Sequence, residues 1–146
     1  MESSAGVEVE WVMTADSAQV VGNKLYVLGG GWDSLTINSV PAQHAMAVAI
    51  SIKVPWHETN QKHKFAMDVA TEDGASLAKA GGEFDVGRPP GIHPGMSQRL
   101  QVTLQLALKL EKTGVYSIVV TLDGREAART LFNVVPGPGI PARKAA

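Results

Sequence analysis

Cysteine is absent from the 146 residues, which excludes disulfides, thiolate metal centres and cysteine nucleophiles and suits a reducing compartment. Aromatic residues make up only 5% of the chain, so a core has to be built mainly from aliphatic side chains. Neither sign of charge dominates: 13 Lys and Arg stand against 14 Asp and Glu, a formal net charge of −1. Such a chain has no long-range positive field to draw in nucleic acid or an anionic membrane, and neither is expected as a partner. No apolar run approaches the length of a bilayer span, and the first ten residues carry Glu2, Glu8 and Glu10 with no basic stretch. A signal peptide and an anchor are therefore not expected, and the expected location is the cytoplasm.

What the chain does have is period-two alternation. Leu100, Val102, Leu104, Leu106, Leu108 and Leu110 alternate with Gln101, Thr103, Gln105, Ala107 and Lys109. A helix would spread those apolar residues around its circumference, whereas a strand places them on one face. The same pattern puts Val7, Val9, Trp11 and Met13 on the inner face of a first strand. It places Met46, Val48, Ile50, Ile52 and Val54 on another strand, which Pro55 stops. Phe65, Met67 and Val69 continue it. Gly22-Asn23 and Asp123-Gly124 suit the positive φ angles of tight hairpins. Around the second turn, Tyr116, Ile118, Val120 and Leu122 match Ala128, Thr130, Phe132 and Val134. Residues 75 to 80 fit either a strand or a short helical turn. Roughly eight or nine strands are expected, forming an all-β, antiparallel two-sheet β-sandwich, immunoglobulin-like or jelly-roll-like. Residues 1–135 make one domain, and 136–146 make a Pro/Gly-rich C-terminal arm.

Two features point to contacts beyond the domain. Ala45, Ala47 and Ala49 occupy the outward side of the strand through Ile50, where an exposed sheet usually shows charge. Either a loop of the same chain covers them or they form a subunit interface. The arm has no core-forming pattern and is ordered only if something holds it. Contact with a neighbouring subunit through Ile140 and Arg143 is the expectation.

Chemistry is sparse. His57, Glu58 and His63 are the residue types that bind a transition metal, although the spacing fits no helical zinc motif and a solvated loop is the favoured reading. Gly29-Gly30-Gly31-Trp32-Asp33 lacks the lysine and hydroxyl of a phosphate loop. Its glycines permit a sharp corner, with Trp32 either plugging the end of the sandwich or stacking on a ligand. The loop from Gly87 to Gly95 holds three prolines and projects Arg88 and His93, so Trp32, Asp33, Trp56, Arg88 and His93 form the candidate ligand site. No nucleophile with an adjacent base can be placed, no catalytic residue is assigned and no cofactor is expected.

The run Tyr26 to Asp33, with Pro55-Trp56, His63, Gly87-Arg88-Pro89, Gly114-Val115-Tyr116 and Asp123-Gly124, resembles an uncharacterised domain-of-unknown-function family of bacterial and phage proteins. The likeness spans roughly residues 11 to 135 and implies a β-sandwich, with no established activity, cofactor or catalytic residue to carry over. The Gly-x-Tyr strand before Asp-Gly is also similar to bacterial immunoglobulin-like modules. The expected function is a non-enzymatic structural or protein-interaction subunit of a homo-oligomer or larger assembly, with a phage virion as one setting. The alternatives are a small-molecule or carbohydrate-binding module at Trp32, Trp56 and the 87–95 loop, and a metal-dependent enzyme at His57, Glu58 and His63.

Overall fold

Alternation becomes two facing sheets in the computed structural model, which describes residues 6–140. The strands are β1 (Glu8–Val21), β2 (Lys24–Gly30), β3 (Ser34–Ile37), β4 (Ala42–Val54), β5 (His63–Thr71), β6 (Ser76–Phe84), β7 (Gln98–Leu110), β8 (Gly114–Leu122) and β9 (Arg125–Pro136). Among the described residues a single 3-10 turn, Trp56–Glu58, is the only helical element, and no helix is long and apolar enough to cross a membrane. One sheet runs β2-β1-β4-β7 and the other β3-β9-β8-β5-β6. The expected all-β sandwich is what forms, and the ambiguous segment after Asp73 is the strand β6.

Each sheet turns its alternating apolar face inward. Val48, Ile50, Ile52, Leu108 and Leu110 meet Val69, Ile118, Val120, Leu122 and Phe132 in one continuous cluster. Full burial of such a side chain contributes on the order of 1.5–3 kcal/mol. Tyr116 stacks on its cross-strand partner Phe132 with ring centroids 5.5 Å apart. The Tyr116 hydroxyl donates to the Lys112 carbonyl at 2.6 Å, so its one polar atom is satisfied inside the core. Both two-residue turns have the anticipated geometry, with φ of 58° and 63° at Gly22 and Asn23 and of 50° and 82° at Asp123 and Gly124.

Three expectations change. The register of β1 against β4 shifts between Val9 and Trp11, leaving Glu10 as an extra residue. A bulge of this kind exchanges the two faces of the strand beyond it. Val12 and Thr14 then pair with Ile50 and Val48 on the inner face, while Trp11 and Met13 lie on the outer face beside Ser51 and Ala49. The fold is also not wholly antiparallel, because β3 pairs with β9 in parallel. Finally, residues 136–140 of the expected arm continue into the domain. Pro136 ends β9, the Gly137 amide donates to the Ile37 carbonyl at 2.8 Å, and Ile140 packs against the core.

The second half of β1 leaves β4 at Ala15, which pairs with both Ala47 and Gly30, and continues with β2 as a hairpin. Gln105 and Gln101 on the outer face of β7 donate to the Ala18 and Asn23 carbonyls at 2.8 and 3.2 Å. To receive those bonds the hairpin has to lie across the outside of β4. It forms a flap, a third layer whose underside is Ala18, Leu25 and Val27 packed with Ala15 and Ala47.

Candidate interaction surfaces

The residues anticipated as a ligand site are dispersed. Trp32 packs edge-on against Phe132 and His44, with centroids 5.7 and 6.1 Å away, and its carbonyl accepts from the Thr14 hydroxyl at 2.5 Å. It closes one end of the core. His44 lies near the start of β4 and Trp56 beyond its end, so at about 3.3 Å per residue Trp56 sits roughly 40 Å along the strand from Trp32's neighbour. The face of Trp56 is already occupied, because the Arg88 guanidinium lies 3.8 Å from its ring centroid. Arg88 also donates from Nε to the Thr59 hydroxyl at 2.6 Å and from Nη2 to the Trp56 carbonyl at 3.2 Å. Asp33 and His93 are exposed, and their carbonyls accept the Asn133 and Met96 amides at 2.8 and 3.0 Å. The joint site at Trp32 and Trp56 is therefore corrected to two separate packing arrangements.

His63 is buried and its two nitrogens are both committed. Nδ1 lies 2.8 Å from Asp123 Oδ2 and Nε2 lies 2.8 Å from the Glu58 carbonyl oxygen. Since both partners are acceptors, the arrangement is fully satisfied when the ring is a cation that donates twice. Burial opposes that charge, but the bonds to Asp123 and Glu58 outweigh it and raise the pKa of His63. Burial likewise opposes the charge on Asp123, whose carboxylate is nevertheless held below the usual range by His63 and the Lys64 amide. Glu58 stands between His57 Nε2 at 3.8 Å and His63 Nε2 at 3.6 Å. Thus the three candidate metal ligands do come together, yet both nitrogens of His63 are already committed, to Asp123 and to the Glu58 carbonyl. Among the described residues no group of three or more such side chains has the arrangement to hold a metal ion. The cluster clips the 3-10 turn to the β8–β9 turn.

The alanine stripe divides. Ala47 and Ala49 are fully buried within the chain and Ala45 is exposed, so the same chain covers the first two, which are not available as an interface, and leaves Ala45 open. Ile140 faces its own core, and Arg143 lies outside the described residues.

Two surfaces have no such occupant among the described residues. The upper side of the flap carries Val21, Tyr26 and Leu28, exposed by 55%, 53% and 72%. They sit on one face because Tyr26 pairs with Gln19, Leu28 with Ser17 and Val21 with Lys24. Three of the five large hydrophobic residues found exposed among the described residues thus form one ridge on an edge hairpin. Sequence reading identified the hairpin, but the face to be exposed depends on how the flap lies over β4.

On the opposite side of the molecule, the outer face of the five-stranded sheet forms an open trough of about 980 Å³. Its floor is made of small side chains at outward positions, including Ala66 and Ala70 from β5, Gly81 from β6 and Ser117 from β8. A transverse row runs Lys79, Asp68, Val119, Arg129. Leu131, half-exposed, stands on the β9 wall, and Glu72 closes one end by accepting the Val115 amide at 3.1 Å. This trough was missed at the sequence level. The signal for it was present in the residues between Tyr116, Ile118 and Val120, which are small or β-branched and uncharged.

No curated protein matches the chain. Residues 10–135 match the model of a family of unknown function, DUF6941, and the span covers both sheets and both surfaces. The chain belongs to the DUF6941 family.

Proposed function

We propose that the protein is a non-catalytic β-sandwich subunit that works through protein contacts and assembles with further copies of itself. The observation that carries this reading is the ridge of Val21, Tyr26 and Leu28 on a flap at the sheet edge. Single apolar residues on a surface are ordinary, whereas a contiguous set on one projecting element marks an interaction surface. The edge adds to this, because among the described residues β2 pairs on one side only and its other side offers backbone groups to a partner. The engaged state of the buried His63, bonded to the partly exposed Asp123, supports a structural use of that cluster.

The test is the mass in solution by light scattering across a concentration series, for the unaltered chain and for Tyr26→Asp/Leu28→Asp. The unaltered chain is expected to exceed the monomer mass of 15.4 kDa and the double variant to return to it. A monomer at every concentration would overturn self-assembly, and an oligomer untouched by the two aspartates would remove the flap from the interface.

A further inference from the structure

Resting on the assembly reading above, we propose that β7 is the strand along which two copies join, edge to edge about a two-fold axis, with the two flaps side by side on the same outer face. Among the described residues β7 pairs with β4 alone and ends the four-stranded sheet. Of the four sheet edges described it is the longest, with 13 residues against seven for β2, four for β3 and nine for β6. Natural sheets protect an edge with proline, a bulge or charge along the strand. The register of β6 against β5 skips Leu77, and β6 carries Lys79 and Glu83. In β7 there is neither proline nor a register shift, and its charges, Arg99 and Lys109, stand near its ends. Such an edge, about 43 Å long, is a template for another strand.

The inner row of β7 is unfinished at this edge. Val48, Ile50 and Ile52 of β4 are fully buried, whereas their neighbours on the same face, Leu104, Val102 and Leu100, are only half-buried. A strand added beside β7 covers them.

Pleating limits the registers a two-fold allows. Paired residues point to the same face, so the axis between two identical antiparallel strands passes through a residue opposite its own copy. An axis through Gln105 sets Arg99 opposite the second copy's Glu111 at both ends, and Lys109 opposite Gln101. On the inner face it sets Leu100, Val102 and Leu104 opposite Leu110, Leu108 and Leu106. An axis through Leu104 would oppose Arg99 and Lys109, and axes through Thr103 or Leu106 pair no opposite charges. Arg99 gives Nε and Nη2 to Glu10, which leaves Nη1 for the second copy's carboxylate, and Glu111 is exposed.

The same axis engages the flap. Gln105, at the axis, donates to the Ala18 carbonyl, and Gln101 donates to the Asn23 carbonyl, so each flap rests on the outer face of its own β7 and passes beside the axis. The two flaps become neighbours, and aspartates introduced on both ridges bring like charge to one interface. A strip about 43 Å long and about 10 Å deep, extended by a flap side of about 23 Å, offers on the order of 650 Å² per partner. The resulting total of about 1,300 Å² falls within the roughly 1,200–2,000 Å² of stable interfaces.

The chain has no cysteine, so introduced thiols report this register directly. Thr103 of one copy lies opposite Ala107 of the other, with Cα atoms about 5 Å apart, within disulfide reach. Like positions lie about 13 Å apart, beyond it. Thr103→Cys and Ala107→Cys in the full chain, mixed and mildly oxidised, are expected to give the disulfide-linked heterodimer, identified by mass spectrometry, while neither variant alone cross-links. Glu111→Lys, shown to be folded by thermal melting, sets a cation opposite Arg99 and is expected to weaken the dimer about tenfold. If light scattering shows the unaltered chain and both reduced cysteine variants associating, but the mixture cross-links no better than each variant alone, β7 is not the contact although self-assembly stands. Association unchanged in Glu111→Lys overturns the register. A monomeric unaltered chain overturns this proposal and the assembly reading together.

Discussion

Glu10 is the extra residue of the β1 bulge, and its carboxylate ties three strands. It accepts from the Ser51 hydroxyl at 2.7 Å and from Arg99 Nε at 2.7 Å. Arg99 and then Ser51 are the main reasons that its pKa falls from 4.5 to about 2. The depressed value means that Glu10 stabilises the fold above pH 4.5 and that this contribution disappears as pH falls toward 2. Glu10→Gln keeps the shape and removes the charge. After discounting for solvent screening, it is expected to cost about 1 kcal/mol at pH 7. The loss should shrink at pH 3, read as the difference in urea midpoint between variant and unaltered chain; an equal loss at both values would show that the charge is not the cause. This residue also explains why the inward placement of Trp11 fails. Val7, Val9, Trp11 and Met13 alternate without interruption, and nothing local marks a bulge. The bulge places Glu10 against Arg99, a residue 89 positions away, which no window of sequence contains.

Elements were legible where a local rule dictates them. The turns at Gly22-Asn23 and Asp123-Gly124 require positive φ, and the strands β7 and β8 have one more deeply buried face that fixes their period. By contrast β3 has four residues and pairs in parallel with the far end of the chain, too short a segment for periodicity to reveal. The polar stretch from His57 to His63 likewise reads as solvated until the fold brings Asp123 to His63. That bond holds the start of β5 to the β8–β9 turn, and its pH dependence has two limits. The raised His63 pKa gives stability that is complete below the unfolded value of 6.5 and is lost as pH rises through the folded value. The lowered Asp123 pKa gives stability present above 3.8 and lost as pH falls through the depressed value. The clip is therefore strongest between about pH 4 and 6.5. Asp123→Asn retains a residue that tolerates positive φ at the turn and deletes the charge. It is expected to cost about 1 kcal/mol at pH 5, discounted for the partial exposure of Asp123, and less at pH 9. Chemical denaturation at the two pH values measures this, and a constant difference would reassign the loss to the turn itself.

At the scale of the molecule, the fold is two sheets with the flap as a third layer, and the layers are held unequally. Between the sheets lies a cluster of large aliphatic and aromatic side chains, whereas the flap rests on Ala15, Ala18 and Ala47 with Leu25 and Val27 and two glutamine bonds. Less buried apolar area means a lower free energy of opening, so the flap should detach without unfolding the sandwich. The small residues on the outside of β4 are then a fitting requirement, because a larger side chain at Ala47 has no space under the flap. Ala47→Leu is expected to overpack this seam by about 1–3 kcal/mol. Hydrogen exchange separates the layers. In the unaltered chain, amides of β2 should exchange through an opening less sensitive to denaturant than that of β8. In Ala47→Leu the β2 amides should exchange about tenfold faster or more, at roughly 1.4 kcal/mol per tenfold, with β8 little changed. Equal acceleration of both strands would mean that flap and sandwich open as one unit. Separate opening would make the ridge of Val21, Tyr26 and Leu28 part of a mobile element, and self-association through that ridge would then slow β2 exchange as subunit concentration rises.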